Sequence, residues 1–144
     1  MSVKQISVFL ENRPGCLHEM TKVLADAKID LRGLSLAETS DFGIVRLIVD
    51  DVTGTASTLR DAGFVASMTD VMAVEVPNVP GGLNKVLEIL DGVGINVEYM
   101  YAILGNKKSD TAYMIFRVND NTKASSALRS SGVKIMEAEE LSAL

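Results

Sequence analysis

Two short stretches, Asn12-Arg13-Pro14-Gly15-Cys16-Leu17 and Asn78-Val79-Pro80-Gly81-Gly82-Leu83, carry the residue types best suited to binding chemistry. Each follows an alternating apolar run that reads as a strand and precedes a run of helical period. A chain that turns at Pro-Gly and enters a helix at once leaves the first helical N–H groups without intrahelical acceptors, at the positive end of the dipole. Such a corner takes up a carboxylate. Asn12 or Asn78 at the strand end offers a carbonyl acceptor for an ammonium group, and an amide donor besides. Together these suit the two charged ends of an α-amino acid. Asn-x-Pro-Gly is also a common turn sequence, and a single copy would read as a turn. The copies differ in chemistry: Arg13 adds a cation where Val79 has none, and Cys16 stands where Gly82 has no side chain. Two unequal pockets are therefore expected.

Other reactive groups are sparse. Cys16 and His18 stand two apart, so on a helix they diverge and make a poor nucleophile–base pair. With one cysteine and one histidine in the chain, neither a disulfide framework nor a cysteine-based zinc site can be built, and no metal or cofactor is expected. Neither G-x-G-x-x-G nor G-x-x-x-x-G-K-[ST] occurs, so nucleotide phosphate binding lacks its usual signature. Asp50-Asp51 and Glu139-Glu140 read as a helix cap and a solvated face. No residue is assigned a catalytic role, because no motif positions the few nucleophiles and bases present. Tyr99 and Tyr101 flank Met100 and share one face of a strand. That placement suits sheet packing and equally the wall of a ligand pocket facing a neighbouring Asn12 loop.

The 144 residues are 47% hydrophobic and 23% charged, the balance of a folded globular chain. The net charge of −5 and the scatter of Lys and Arg argue against nucleic acid or an anionic membrane as partner. No apolar stretch approaches the roughly 18 residues of a membrane span, and Met1-Ser2-Val3-Lys4-Gln5 lacks the apolar core of a signal peptide. A cytoplasmic protein is expected.

The elements that must position the two loops are written twice. Asn78 stands 66 residues after Asn12, and at the same offset Val8 meets Val74, Leu24 meets Leu90 and Ile29 meets Ile95. Further on the offset becomes 69: Val49-Asp50-Asp51 falls on Val118-Asn119-Asp120, and Leu59-Arg60 on Leu128-Arg129. The change places a three-residue insertion near Gly105–Asp110. In the first copy, Ile6, Val8 and Leu10 mark a strand, and Leu17, Met20, Val23, Leu24 and Ala27 a helix face. Strands over Leu31 to Glu38 and Ile44 to Val49 follow as a hairpin, then a helix capped by Asp51 and ended by Gly63, then a strand from Phe64 to Thr69. The second copy repeats this with strands at Met72 to Val76, Ile95 to Leu104, Ala112 to Val118 and Lys134 to Met136, and a short tail helix after Glu137. The order β-α-β-β-α-β, twice, predicts an α+β protein of two ferredoxin-like units, each an antiparallel sheet with both helices on one face. Units this small leave sheet faces and edges unpaired, which predicts a homodimer or larger assembly. An RNA-binding version of this topology would need basic charge, and a metal-chaperone version a Cys-x-x-Cys loop.

Glu11-Asn12-Arg13-Pro14-Gly15-Cys16-Leu17-His18-Glu19-Met20, on a strand-to-helix turn in a βαββαβ unit, resembles the ACT domain family. Pro77-Asn78-Val79-Pro80-Gly81-Gly82-Leu83-Asn84-Lys85-Val86 looks like the same motif. The resemblance covers about residues 3 to 137 as a tandem pair, with domains over 1–70 and 71–144 and no catalytic domain attached. It implies that the loop from strand one to helix one binds a small regulatory ligand, usually an amino acid, at an interface between paired domains. Carried onto this chain, that points to Asn12, Pro14, Gly15 and Leu17, and to Asn78, Pro80, Gly81 and Leu83. The implied function is a non-catalytic amino-acid sensor that signals through its own assembly or a protein partner. The alternative is a regulatory subunit of a separate amino-acid biosynthetic enzyme, similar in role to the small subunit of acetolactate synthase.

Overall fold

The computed structural model describes residues 2–103 and 110–144, and the chain forms two compact units. The N-terminal unit, Lys4–Thr69, begins in strand β1 (Val3–Glu11), where Ile6, Val8 and Leu10 are buried and Phe9 and Glu11 exposed. Helix α1 (Cys16–Asp26) buries Cys16, Met20 and Leu24, one residue per turn. Strands β2 (Gly33–Glu38) and β3 (Phe42–Ile48) form an antiparallel hairpin, with β3 also antiparallel to β1. Helix α2 (Val52–Asp61) then returns the chain to β4 (Val65–Pro77), which runs beside β1. The core joins Ile6, Val8 and Leu10 to Met20, Leu24, Val45, Leu47 and Leu59, so both helices cover the same sheet face.

The C-terminal unit comprises Asp70–Leu144 with the start of the chain up to Val3. It repeats the pattern with helix α3 (Gly82–Gly92), strands β5 (Val97–Ala102) and β6 (Thr111–Val118), helix α4 (Asn121–Ser130) and the short β7 (Ile135–Met136). Strand β6 pairs antiparallel with β5 and β4, and β7 pairs with β4 on the other side. Met72, Val74, Val86, Leu90, Phe116 and Leu128 form its core. Helix α5 (Ala138–Ser142) closes the chain with a capping box between Glu137 and Glu140.

Both units are thus βαββαβ. Asp51 and Asp120 cap α2 and α4, accepting from Gly54 N and Lys123 N at 3.0 Å each. One element differs from expectation. The strands read as Phe64 to Thr69 and Met72 to Val76 are a single strand, β4, running through Asp70 without a break. The insertion expected near Gly105–Asp110 falls, but for Asp110, outside the described residues.

The repeat also exposes a local strain. After α1, Lys28 adopts φ +58°, whereas the residue 66 positions later is Gly94 at φ +71°. Each donates its N–H three residues back at 3.0 Å, Lys28 to Ala25 and Gly94 to Asp91, so the turn is the same. A β-carbon in this left-handed region costs roughly 1–2 kcal/mol, of which glycine's greater unfolded-state entropy offsets a part. Lys28→Gly is expected to stabilise the chain by about 0.5–1 kcal/mol and to raise its melting temperature by about 2–4 °C. Thermal melts of the variant check this, and an unchanged or lower melting point contradicts it.

Candidate functional site

Both strand-to-helix corners are held in the same way. Asn12 N donates to Asp41 O and Asn78 N to Asp110 O, each at 2.9 Å. The chain then reverses through Gly15 (φ +90°) and Gly81 (φ +85°), which precede α1 and α3. These left-handed conformations are why glycine stands there. A glycine at the cap has no side chain to offer, so neither helix start receives a side-chain acceptor. Cys16 N reaches Arg13 O at 3.4 Å and Gly82 N reaches Val79 O at 3.0 Å. The N–H groups of Leu17, His18, Leu83 and Asn84 find no acceptor among the described residues. The aspartate-capped α2 and α4 are the contrast.

In the N-terminal unit the corner opens onto a cavity of about 220 Å³. Asn12, Arg13, Cys16 and Leu17 line it from the loop, Leu10 and Glu11 from β1, Leu36 and Glu38 from β2, and Gly43 from β3. Pro14 and Gly15 shape the turn without lining the space. Leu10 lies opposite Gly43, and Gly43 opposite Glu38, in one row across three strands. Leu36, Glu38 and Gly43 carry no motif, and only the strand register brings them to the loop. Cys16 is buried, whereas Leu17 and Leu36 are 37% and 50% exposed. His18 is exposed and does not line the cavity.

The polar groups divide by sign. Arg13 Nε pairs with Glu11 Oε2 at 2.8 Å, both side chains being largely exposed. The hydrogen bond to Glu11 holds the Arg13 pKa above its usual value. Asn12 Nδ2 donates to Thr39 O at 3.0 Å, with Ser40 O and Glu38 Oε2 each at 3.4 Å. The amide donors expected to face a ligand are therefore engaged by the hairpin. The Asn12 Oδ1 accepts no hydrogen bond among the described residues.

The second corner is built more tightly. Gly82 is buried, and a β-carbon added to it would overlap the Pro77 carbonyl oxygen. The exchange of Cys16 for Gly82 thus reflects close approach of strand end to helix start. Leu83 packs against the second core, and Val79 is 58% exposed. Tyr99 and Tyr101 lie half-buried on β5, opposite Arg117 and Ile115, on the strand face other than the one Met100 turns to the core. They do not line the Asn12 cavity. A larger cavity, about 420 Å³, runs along Lys28, Asp30, Asp50, Asp51, Thr55 and Thr58. Two of its three carboxylates are already committed, Asp50 to Arg32 at 3.1 Å and Asp51 to the cap of α2. The smaller cavity is the better candidate, because the Asn12 loop and the uncapped start of α1 line it.

Among the described residues, no group of His, Cys, Asp and Glu could hold a metal ion, and no helix is long and apolar enough to cross a membrane.

The sequence model of a family described as an ACT domain pair matches residues 1–144. Among solved structures, the chain is similar to a protein from Bacteroides thetaiotaomicron at 40% identity and a TM-score of 0.92, covering 100% of this chain and 98% of that one. It is also similar in fold to the regulatory subunit of aspartate kinase from Thermus thermophilus, in ligand-free form, at 17% identity and TM-score 0.68, with 92% of each chain covered. The corresponding subunit from Thermus flavus gives 16% identity and TM-score 0.65 at the same coverage. No curated protein matches the chain in sequence.

Two substitutions test the unequal corners. Gly82→Ala forces a methyl group against the Pro77 carbonyl and is expected to cost about 1–3 kcal/mol. Cys16→Ala removes one buried sulfur from a site that already accepts a β-carbon, for about 1 kcal/mol. Urea denaturation of both variants checks the order, and a smaller loss for Gly82→Ala contradicts the close approach.

Proposed function

The chain belongs to the ACT domain pair family, and from that membership we propose that it is a non-catalytic regulatory protein that binds a free amino acid at the Asn12–Leu17 loop. The cavity carries this reading, because its polar groups match a zwitterion. Open N–H groups at the start of α1, with Arg13 beside them, suit the carboxylate. The Glu38 carboxylate and Asn12 Oδ1 suit the ammonium group. At about 220 Å³ the space lies below the roughly 300–1,000 Å³ of drug-sized pockets, which fits one small metabolite.

A regulatory role accords with the aspartate kinase regulatory subunits that share the fold. The signal passes to a second copy of the chain or to a catalytic partner. Phe9 and Phe42 support such a contact: their rings meet edge to face at 6.2 Å, and each is about half exposed. The alternative reading, a subunit of a separate biosynthetic enzyme, rests on the same exposed pair. Recovery of a catalytic chain with the tagged protein from native extract selects it, and a homodimer alone selects the sensor.

A thermal-shift screen of the twenty amino acids tests the binding. Ligand at a hundred times Kd stabilises the folded chain by about 2.7 kcal/mol, which raises the melting temperature by roughly 5–10 °C. The bound amino acid should be recovered unchanged. If none of the twenty shifts the melt and none occupies the loop in a soaked crystal, the reading fails. Because Asn12 ties the loop to the hairpin, Asn12→Ala is expected to lower the ligand-free melt as well, by the worth of about one hydrogen bond, 0.5–1.5 kcal/mol.

A further inference from the structure

We infer that Gly43 makes the Asn12 cavity selective for an amino acid with an aliphatic side chain, and that the equivalent place in the second unit is filled, leaving one binding site per chain. The inference rests on the amino-acid reading above and specifies its ligand.

Gly43 is buried at the second position of β3, paired on both sides and on the face that Val45 and Leu47 turn to the core. Its backbone is outside the left-handed region, so conformation does not require glycine there. A strand interior favours residues with side chains, and a glycine within it often marks a close approach by another group. Here the missing side chain, between the register partners Leu10 and Glu38, lets Leu36 approach the strand. A β-carbon at Gly43 would lie 3.3 Å from Leu36 Cδ1 and 3.7 Å from Ala37 O. The floor is therefore shaped by an absent methyl group and walled by Leu10, Cys16, Leu17 and Leu36.

Leu17 and Leu36 are exposed although the first core lies directly beside them. Covering them with an aliphatic side chain removes apolar surface from water on both partners. A charged or strongly polar side chain in the same place would lose water against four apolar walls, and the Glu38 carboxylate beside it is the group that the ligand's own ammonium engages. The charged groups of the site, Arg13, Glu11 and Glu38, stand in the loop and at the last positions of β1 and β2, where the ligand's own carboxylate and ammonium groups are held. The second unit supplies an internal comparison. Its β4 residue Val76, the counterpart of Leu10, lies opposite Ala112, the counterpart of Gly43. There Ala112 carries the methyl group that Gly43 lacks, and the Pro77 carbonyl packs against Gly82.

Titration calorimetry on the full chain tests this with L-valine, L-isoleucine, L-leucine and L-methionine, against L-serine, L-aspartate and L-lysine. At least one of the first four should bind tenfold more tightly than any of the last three, with one ligand per chain. Gly43→Val places a branched side chain, well suited to a strand, into the floor of the cavity. It should fold and weaken that binding at least tenfold. Should Gly43→Val fail to fold, Leu36→Gln decides, since Leu36 is half exposed and tolerates a polar residue; a tenfold loss is again expected. Preference for serine, aspartate or lysine, two ligands per chain, or unchanged affinity in the deciding variant would overturn the inference while leaving an amino-acid sensor standing. If no amino acid binds at all, the sensor reading falls with it.

Discussion

A strand that must become a helix within five residues imposes the constraint on which each unit depends. The reversal runs through a left-handed residue just before the helix, and glycine at 15 and 81 meets that demand without strain. The same choice removes the side chain that would have capped the helix. Gly15 and Gly81 therefore couple a fold requirement to an open helix start. Asn12 and Asn78 hold the corner from the other side by donating to Asp41 and Asp110. With both ends of the loop fixed, α1 and α3 lie against their sheets in one register, and Met20 and Leu24 or Val86 and Leu90 reach the cores.

Once the corner is built twice, its two copies are free to diverge where the fold does not depend on the residue. They diverge at two coupled places. In the first unit a thiol stands at the helix start and a glycine in the strand row below it, Cys16 above Gly43. In the second unit these become Gly82 and Ala112. The exchange moves volume from the helix start to the strand, and with it the backbone: the Pro77 carbonyl closes on Gly82. The first corner keeps its space between loop and sheet. The difference is one of packing, carried by small residues that no charge or catalytic motif would reveal.

Most of the architecture could be read from residue types. The offset of 66 and then 69 gave the doubled βαββαβ order, the alternation of Ile6, Val8 and Leu10 gave the buried face of β1, and Asp51 and Asp120 cap the helices assigned to them. The loop residues Asn12, Arg13, Cys16 and Leu17 do line one cavity. Two things were hidden for physical reasons. The alternation reads as two strands, one ending at Thr69 and the next starting at Met72 almost directly after it, yet the backbone of β4 passes through Asp70 unbroken, because a strand needs only its ladder and one side chain can face solvent. Gly43, Leu36 and Glu38 were hidden because their meeting with Leu10 and the loop depends on pairing between strands that lie far apart in sequence. A mismatch in the repeat, Gly43 against Ala112, was the one available signal, and it appears only after the two offsets are combined.

The departures from good local design fall together. Elsewhere in the N-terminal unit departures are single, such as the left-handed Lys28 and the exposed Val65, while α2 is capped by Asp51, Arg32 is paired with Asp50, and Val45, Leu47 and Leu59 are fully buried. Around the Asn12 loop three departures come at once. A helix begins with no side-chain cap, a strand paired on both sides holds a glycine that its conformation does not require, and two leucines lie open beside the core. Each departure lowers stability by itself, by missing hydrogen bonds, missing packing or exposed apolar area. Scattered through the chain they would be ordinary imperfections. Gathered around one cavity of about 220 Å³, they are departures that the proposed ligand, with its anionic end and apolar body, would offset together, and concentrated violations of this kind are where function is expected in a fold.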